Sequence, residues 1–539
     1  MEVPSDRCGF VLQPEQIGWD PDRSDGFEWA ATVQLSACAR KPWKNGRCIW
    51  HADTDDKPVD EIKDERADSP ECLDGAILTD IEIEESISFS DCSLIGSDFQ
   101  SSELDRITFS GADLRGADFT DAYIVGSEFT NSELIGADLQ GTDIRYAEFN
   151  HSNLEWAVLR EADAANAKFR NSYCRNTNIT GGSFERASFE RASLETVNFE
   201  DAHLRHTDFR GAYIHDTTFT NCFLRYAKFS YHLQKSKFID SDLSFAEFHS
   251  IDMKYSTFEK SRMVNSELRE CDLYRAEFID LYLGDSEVQE SNLEQSKLIR
   301  TDLSGTNISE SKLYQIMFEN VRFNNDTTFI DSCPYTNKGN ERPSATDFEK
   351  STWVYRRLSD LHSNNAMSRR SREFHIKKEE TRRDKYLLET KQTLTQREYA
   401  ESLRHGIQYA ISSLNRQLTN HGESLLQVGK SSALTIILCA AVYPFVGGIR
   451  SSSQQESYVL SLSRVGNIVA SGDLSSIADS LLNVFGQSIY FSAITFTTIG
   501  YGDLYPTGIG SKLLVAFESL SGALLLALAI YVLGRQVSR

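Results

Sequence analysis

The sequence predicts a multidomain protein: a repetitive solenoid, a charged α-helical linker, and a small all-α module that crosses a membrane. Three observations carry this. From about residue 89 to residue 323 an apolar residue recurs every five positions. Two long apolar runs, the second with a single acid, stand near the end of the chain. Between those runs lies "TFTTIGYGDLYP", Thr495 to Pro506, with two glycines in an apolar setting. At 539 residues the chain exceeds a single domain.

Composition narrows the function classes. The chain holds 79 Asp and Glu against 56 Lys and Arg, a formal charge of −23. Nucleic acid is an unfavourable partner for such a chain, because binding it draws on positive charge to displace counterions. The acids are spread rather than blocked, which suits a solvated surface in concentrated salt or an interaction face for a basic partner. The start, "MEVPSDRCGFV", shows no apolar run after a basic stretch, so no secretory signal is expected. The ten cysteines are scattered, and several fall where the repeat calls for a small buried residue. Reduced thiols in a cytoplasmic compartment are expected.

Residues 1–75 read as a small cap. Cys8, Cys38, Cys48 and His51 form a C…C…C-x-x-H set, four ligands of the kind that zinc favours at a structural site. "KNG" supplies a bend before the Cys48–His51 pair. The first gap is long, Cys72 is a substitute member, and unligated thiols remain the other reading.

Residues 76–330 carry the repeat. In "SGADLRGADFTDAYIVGSEFTNSELIGADLQGTDI", Leu114, Phe119, Ile124, Phe129, Leu134, Leu139 and Ile144 are evenly spaced, each preceded at two positions by a small residue. A period of five leaves no single buried face on a helix and alternates faces on a strand. It makes sense if five residues form one side of a coil, with the large and small residues inside. One residue is missing in "FSYHL", between Phe229 and Leu233, so a tightened corner is expected there. The pattern resembles pentapeptide-repeat proteins, and the resemblance implies a right-handed quadrilateral β-solenoid of about 12 coils. At about 4.8 Å per coil it would be roughly 55–60 Å long, with capped ends. As to role, a rigid stalk or scaffold is one reading. The other follows family members whose acidic rods resemble duplex DNA and bind DNA-handling enzymes.

Residues 331–430 read as a linker. "ATDFEKSTWVYRRLSDLHS" and "SRRSREFHIKKEETRRDKYLLETKQ" have helical spacing. Bases outnumber acids here, which suits phosphate headgroups or a solvated helical face. "LRHGIQYAISSLNRQLTNHGESLLQVGK" suggests an amphipathic interfacial helix.

Residues 431–539 hold the membrane module. The run 431–449, "SSALTIILCAAVYPFVGGI", and the run 513–534, "LLVAFESLSGALLLALAIYVLG", are each long enough to cross a bilayer. Between them, 486–498 suits a helix too short to span. Its chain must return through the membrane, where irregular backbone is tolerated only if shielded or lining a watery path. Gly500 and Gly502 permit the unusual backbone angles this demands.

"TTIGYGD" resembles the selectivity-filter signature of potassium channels, in the setting of their two-transmembrane pore. The likeness implies that Thr498, Ile499, Gly500, Tyr501 and Gly502 (498–502) bind the permeant potassium ions. Asp503 would sit behind the outer mouth, bonded by Tyr490, with Thr497 supporting the filter. Where several relatives carry a glutamate in the short helix, this chain has Ile494. Gly522 matches the family's hinge glycine. Leu526, Ile530 and Gly534 follow along the same helical face as candidate pore lining. Glu518, an acid inside the second run, is either a functional group or bonded behind the short helix.

No helix carries Arg at every third position, so no voltage sensor is expected, and no catalytic constellation is visible. With Arg539 as the last residue, no ligand-binding domain is expected after the inner helix. The expected protein is a homotetrameric, potassium-selective, multi-pass channel of the cell membrane with both termini cytoplasmic. It resembles pentapeptide-repeat ion channels of halophilic archaea. A solenoid-binding cytoplasmic protein is a candidate partner. The competing expectations are a membrane-tethered scaffold and a weakly selective cation channel.

Overall fold

The computed structural model describes residues 7–8, 10–13, 38–54, 57–66, 70–83, 87–337, 341–452, 457–458 and 474–537. The chain divides into two compact units, Met1–Asn337 and Lys338–Arg539.

The first unit is a β-solenoid whose inner residues are those of the five-residue period. Leu114, Phe119 and Ile124, and the small Ala112, Ala117 and Ala122, are fully or almost fully buried. Each corner is a β-turn: Ala117 N donates to Leu114 O at 3.0 Å, and Gly116 takes the left-handed φ of 64° that closes it. Sides of successive coils pair in parallel, with Leu114 N donating to Glu133 O at 2.7 Å and Glu133 N to Ala112 O at 2.9 Å. One ladder runs Cys72, Ser93, Asp113, Glu133, Asn153, Tyr173, Ser193, Tyr213, His232, Asp252, Asp272, Asn292, Lys312, one residue per coil. Those steps make about 12 coils, spaced as paired strands are.

Phenylalanines stack along the interior because equivalent positions recur every fourth repeat. Phe109, Phe129, Phe149 and Phe169 form one column with ring centroids 4.7 to 5.0 Å apart and interplanar angles of 10° or less. A second column includes Phe99 and Phe119, and the two meet edge to face, as at Phe109–Phe119 (5.9 Å, 86°). Buried hydroxyls at the small positions donate to the preceding coil, Ser256 Oγ to Leu233 O and Thr306 Oγ1 to Leu283 O, both at 2.6 Å.

The tightened corner is present. Tyr213 pairs with His232 and Thr218 with Lys237, a residue short of the usual coil, and the register shifts between Ser230 and Tyr231, where Tyr231 has φ 87°. The columns continue across it: Phe229 stacks on Phe248 at 4.9 Å. The solenoid also starts earlier than residue 76. Cys72 pairs with Ser93, Ile77 with Asp98 and Glu82 with Glu103, one residue more than a regular coil. That extra residue, between Ile83 and Phe89, throws the period out of phase, and the expected start at 76 falls about one side of a coil late. Cys72 therefore belongs to the solenoid rather than the cap. At the far end Tyr335 covers the core, its hydroxyl donating to Glu294 Oε1 at 2.7 Å.

The second unit begins with three helices: α2 (Ala345–Asn364), α3 (Ser368–Thr395) and α4 (Tyr399–Thr419), following the short α1 (Val59–Glu65) of the first unit. A capping box at Ser344 and Asp347 starts α2. Reciprocal bonds from Ser359 Oγ to Ser371 O and from Ser371 Oγ to Ser359 O, both 2.9 Å, lock α2 to α3. On α4, Leu403, Ile407, Ile411 and Leu414 are exposed at helical spacing, the apolar stripe of an amphipathic helix.

Three apolar helices follow: α5 (Leu425–Val442), α6 (Leu474–Phe496) and α7 (Ile509–Val537). Of these, α5 and α7 are long and apolar enough to cross a membrane. The boundaries correct the expectation in each case. The first candidate membrane helix is 425–442, against an expected 431–449, because Pro444 cannot continue the helix and Gly447 and Gly448 take φ of 127° and 72°. It also takes its first turn from the stretch assigned to the linker. The helix expected at 486–498 is 23 residues long and stops at Phe496, since Thr498 turns left-handed at φ 56°. The second candidate membrane helix is 509–537, against an expected 513–534.

Candidate functional site

The stretch after α6 combines unusual backbone with a helix terminus. Thr498, Gly500 and Gly502 have φ of 56°, 53° and 77°, and Ile499 and Tyr501 between them do not share that hand. Alternation of this kind lets successive carbonyls turn to one side of a strand. The amides on this stretch are held from behind: Thr498 N donates to Thr495 O at 3.1 Å and Ile499 N to Ile494 O at 3.0 Å. Thr497 Oγ1 donates to Ala493 O at 2.7 Å, closing the last turn of α6. The C-terminal carbonyls of α6, carrying partial negative charge, thus stand immediately before the stretch.

Support comes from the flanks. The Tyr490 phenol and the Asp503 carboxylate interact through their side chains. Ser452 N donates to Asp503 O at 2.8 Å, and Leu504–Pro506 pairs antiparallel with Ile449–Ser451. Ile494 is buried with Cys439, Tyr443, Ile449, Phe491 and Leu504.

Glu518 is fully buried behind α6. It accepts from Tyr443 Oη at 2.6 Å and from Ser492 Oγ, and Cys439 bonds it as well. One carboxyl therefore joins the end of α5, the C-terminal part of α6 and α7. Of the two readings the sequence left open, the geometry matches the one in which Glu518 is bonded behind the helix.

Gly522 lies where α7 crosses the end of α6. A Cβ there would stand 2.0 Å from Phe496 O, so close helix packing already requires glycine, and α7 runs through it unbroken. Leu526 and Ile530 are 63% and 64% exposed, and Gly534 has open space beside it. Those three candidates share a face that the chain itself leaves uncovered.

At the opposite end of α7, Arg535 reaches the turn between α4 and α5. Its guanidinium lies 2.9 Å from Glu423 Oε1 and 3.1 Å from His375 Nε2 of α3, and the Glu423 side chain is 3% exposed. In the first unit, the ligand atoms of Cys8, Cys38, Cys48 and His51 all lie within 4.8 Å of one another, and Cys72 is not among them.

Comparison with known proteins bears on both units. Residues 468–539 match the family model described as ion channel. The C-terminal module is an ion-channel domain. Residues 81–159 match a pentapeptide repeat region, and 157–195, 192–230 and 289–325 match pentapeptide repeats. The chain is 34% identical over 55 residues to potassium voltage-gated channel subfamily A member 6 of Homo sapiens, with the same figures in Mus musculus. The chain spans about a tenth of the length of these curated relatives, and the match covers 10% of the chain. A pentapeptide repeat protein of the Arabidopsis thaliana thylakoid lumen is 35% identical, covering 16% of this chain and 61% of its own, with a TM-score of 0.16. HetL, a pentapeptide repeat protein from Nostoc, is 18% identical over 49% of this chain and 91% of its own, again with a TM-score of 0.16.

Sequence reasoning placed the stretch 497–503 and Tyr490 but missed the partners of Glu518 and the Glu423–Arg535 pair of the channel domain. Tyr443 carried a faint signal, the single phenol of an apolar run, next to Pro444. Glu423 and Arg535 carried none, since each reads as an ordinary charge flanking a membrane segment.

Proposed function

We propose that the protein is a homotetrameric, potassium-selective channel with a cytoplasmic solenoid, both termini cytoplasmic, and no catalytic activity. The alternating left-handed backbone at Thr498, Gly500 and Gly502, set directly after the end of α6, carries this reading. Carbonyls from a ring of such strands replace the hydration shell of a cation. Thr498 to Gly502 line the path, with Asp503, Tyr490 and Thr497 behind. One chain supplies one strand, so several copies surround an axis. Tyr501 and Ile499, 71% and 56% exposed in a single chain, are then covered by neighbours. Leu526, Ile530 and Gly534 face the inner path, and Gly522 is both a packing point and the hinge. The stripe on α4 rests at the membrane interface.

The test is the reversal potential of purified protein in planar bilayers, potassium on one side and sodium on the other. A value near the potassium equilibrium potential is expected. A value near zero with clear current identifies a weakly selective cation channel. A silent membrane, with the isolated channel domain silent too, favours a tethered scaffold. The solenoid's role is regulatory in this reading: removal of residues 1–340 changes open probability and leaves selectivity unchanged.

A further inference from the structure

The N-terminal cap brings together four side chains that the conduction path does not use. Cys8 Sγ lies 3.5 Å and Cys48 Sγ 3.2 Å from His51 Nδ1, and Cys38 Sγ lies 3.8 Å from Cys48 Sγ. In a tetrahedral zinc site with bonds of about 2.3 Å to sulfur and about 2.0–2.1 Å to nitrogen, the ligand atoms stand roughly 3.5–3.8 Å apart. The three separations above, 3.2 to 3.8 Å, are close to those dimensions, and all four ligand atoms lie within 4.8 Å of one another. Cys8, Cys48 and His51 are at most 5% exposed.

Local structure aims each ligand. Asn45 and Gly46, with φ of 52° and 75°, turn the chain between Lys44 and Arg47, and Cys48 and His51 follow in a turn where His51 N donates to Cys48 O at 3.0 Å. The Cys8 and Cys38 segments are paired to each other: Cys8 N donates to Arg40 O and Cys38 N to Phe10 O, both at 2.8 Å. The His51 ring stacks on Phe10 at 4.2 Å. Its Nε2 is 3.0 Å from Asp74 O, so Nε2 carries the proton and the Nδ1 lone pair faces the sulfurs. A backbone carbonyl on the far nitrogen is the usual outer partner of a metal-bound histidine. Arg47 donates to Cys8 O at 3.1 Å and lies over the Phe10 ring, placing positive charge beside a thiolate-rich centre.

We propose that Cys8, Cys38, Cys48 and His51 bind one zinc ion per chain, as a closed structural site that clamps the cap to the first coil of the solenoid. All four positions of the tetrahedron are filled by protein, which leaves no open site for chemistry. The clamp reaches the solenoid by three routes. His51 is bonded to Asp74 O. Ile77 N donates to Trp50 O at 2.7 Å, and the fully buried Trp50 ring meets Phe89, the first ring of a Phe column, at 6.3 Å. The Asp74 carboxylate then holds Ser93 Oγ and Ile95 N of the next coil at 2.5 and 3.0 Å. An uncapped coil would present unpaired strand edges.

The experiment measures metal content of the full-length protein, purified under reducing conditions from zinc-supplemented medium. Wild type and Cys72→Ser are expected to carry about one zinc per chain, and Cys48→Ser none. Cobalt added to chelator-stripped wild type should give the visible bands of a tetrahedral thiolate site. Hydrogen exchange should rise on stripping in residues 70–83 and stay unchanged around 240–300, a readout that does not depend on any variant folding. Metal-free wild type that also ignores cobalt overturns the proposal. So does a Cys48→Ser protein that keeps its zinc, or a Cys72→Ser protein that loses it.

Discussion

Glu423 and Arg535 meet at 2.9 Å, joining the turn between α4 and α5 to the last turn of α7. The carboxylate is almost fully buried, so removing one partner takes the nearest opposite charge from a desolvated group, at a cost of up to about 3–5 kcal/mol, with His375 still 3.8 Å from Glu423 and 3.1 Å from Arg535. The pair thereby holds the end of α7, a helix unbroken through Gly522, in the place it occupies here. Glu423→Gln is expected to free that end and raise the open probability by more than tenfold, with an unchanged reversal potential. Single-channel recording measures both. Arg535→Gln should do the same, and the double variant should add little, since both changes remove one contact.

Glu518 fastens three helices through Tyr443, Ser492 and Cys439. Loss of one bond to a buried group costs about 1–3 kcal/mol. Tyr443→Phe should therefore lower the melting temperature of the assembled protein in detergent while leaving potassium selectivity intact. Glu518→Ala, which removes every bond at once, should cost more than Tyr443→Phe.

Two glycines of the channel domain should fail differently. Gly500 has open space where a Cβ would go, so Gly500→Ala meets only the left-handed backbone cost, about 1–2 kcal/mol. Assembly should survive and potassium-over-sodium selectivity should collapse, as bi-ionic reversal potentials would report. Gly522→Ala drives a methyl into Phe496 O and should cut the yield of assembled protein on size exclusion.

His362 sits buried between α2 and α3, its Nδ1 2.8 Å from Leu358 O. Burial holds its pKa below the ordinary 6.5, more than the Leu358 bond raises it, and Arg370 adds to the depression. Its folded form therefore resists a proton that the unfolded form accepts. The stability it contributes is complete above about pH 6.5 and is lost as pH falls from there through the folded value. Hydrogen exchange of α2–α3 peptides should quicken between pH 7.5 and 5.5 once corrected for intrinsic rates. His362→Gln should lose that dependence.

Phe149 is fully buried, with a ring stacked on either side. Phe149→Ala should destabilise the solenoid by about 3–5 kcal/mol. Urea titration followed by exchange in residues 130–170 should show the earlier opening. Removing the hydroxyl in Ser256→Ala should cost far less, since it gives up one bond to Leu233 O.

The solenoid was legible because its period is enforced by sterics at every corner and every inner position. The missing residue near Tyr231 was legible for the same reason, as a break in an otherwise strict count. The solenoid's exact start was not, since one added residue between Ile83 and Phe89 breaks the phase and left Cys72 outside the expected 76–330. Helix ends around the channel domain were misjudged because hydropathy marks where a segment is greasy and not where its backbone turns. Pro444, Thr498 and the paired glycines at 447 and 448 decide that. The Cys/His quartet was readable by residue type, although only the fold shows that Cys72 stands apart. Pairs such as Glu423 with Arg535, or Glu518 with Tyr443, depend on long-range packing that a single sequence does not encode in any local pattern.

The shortened coil at Tyr231 has a consequence for how such a chain changes over time. Each coil touches only its neighbours, and its rings must land on those above and below. Insertions and deletions are thus tolerated cleanly when they add or remove a whole coil of four repeats, and the rod grows or shrinks by one strand spacing, about 4.8 Å. A single lost residue survives only at a corner, where Tyr231 adopts φ 87° and the Phe229–Phe248 stack still closes. Length in this protein is a quantity that evolution can adjust only in whole steps, with corners absorbing the rare error.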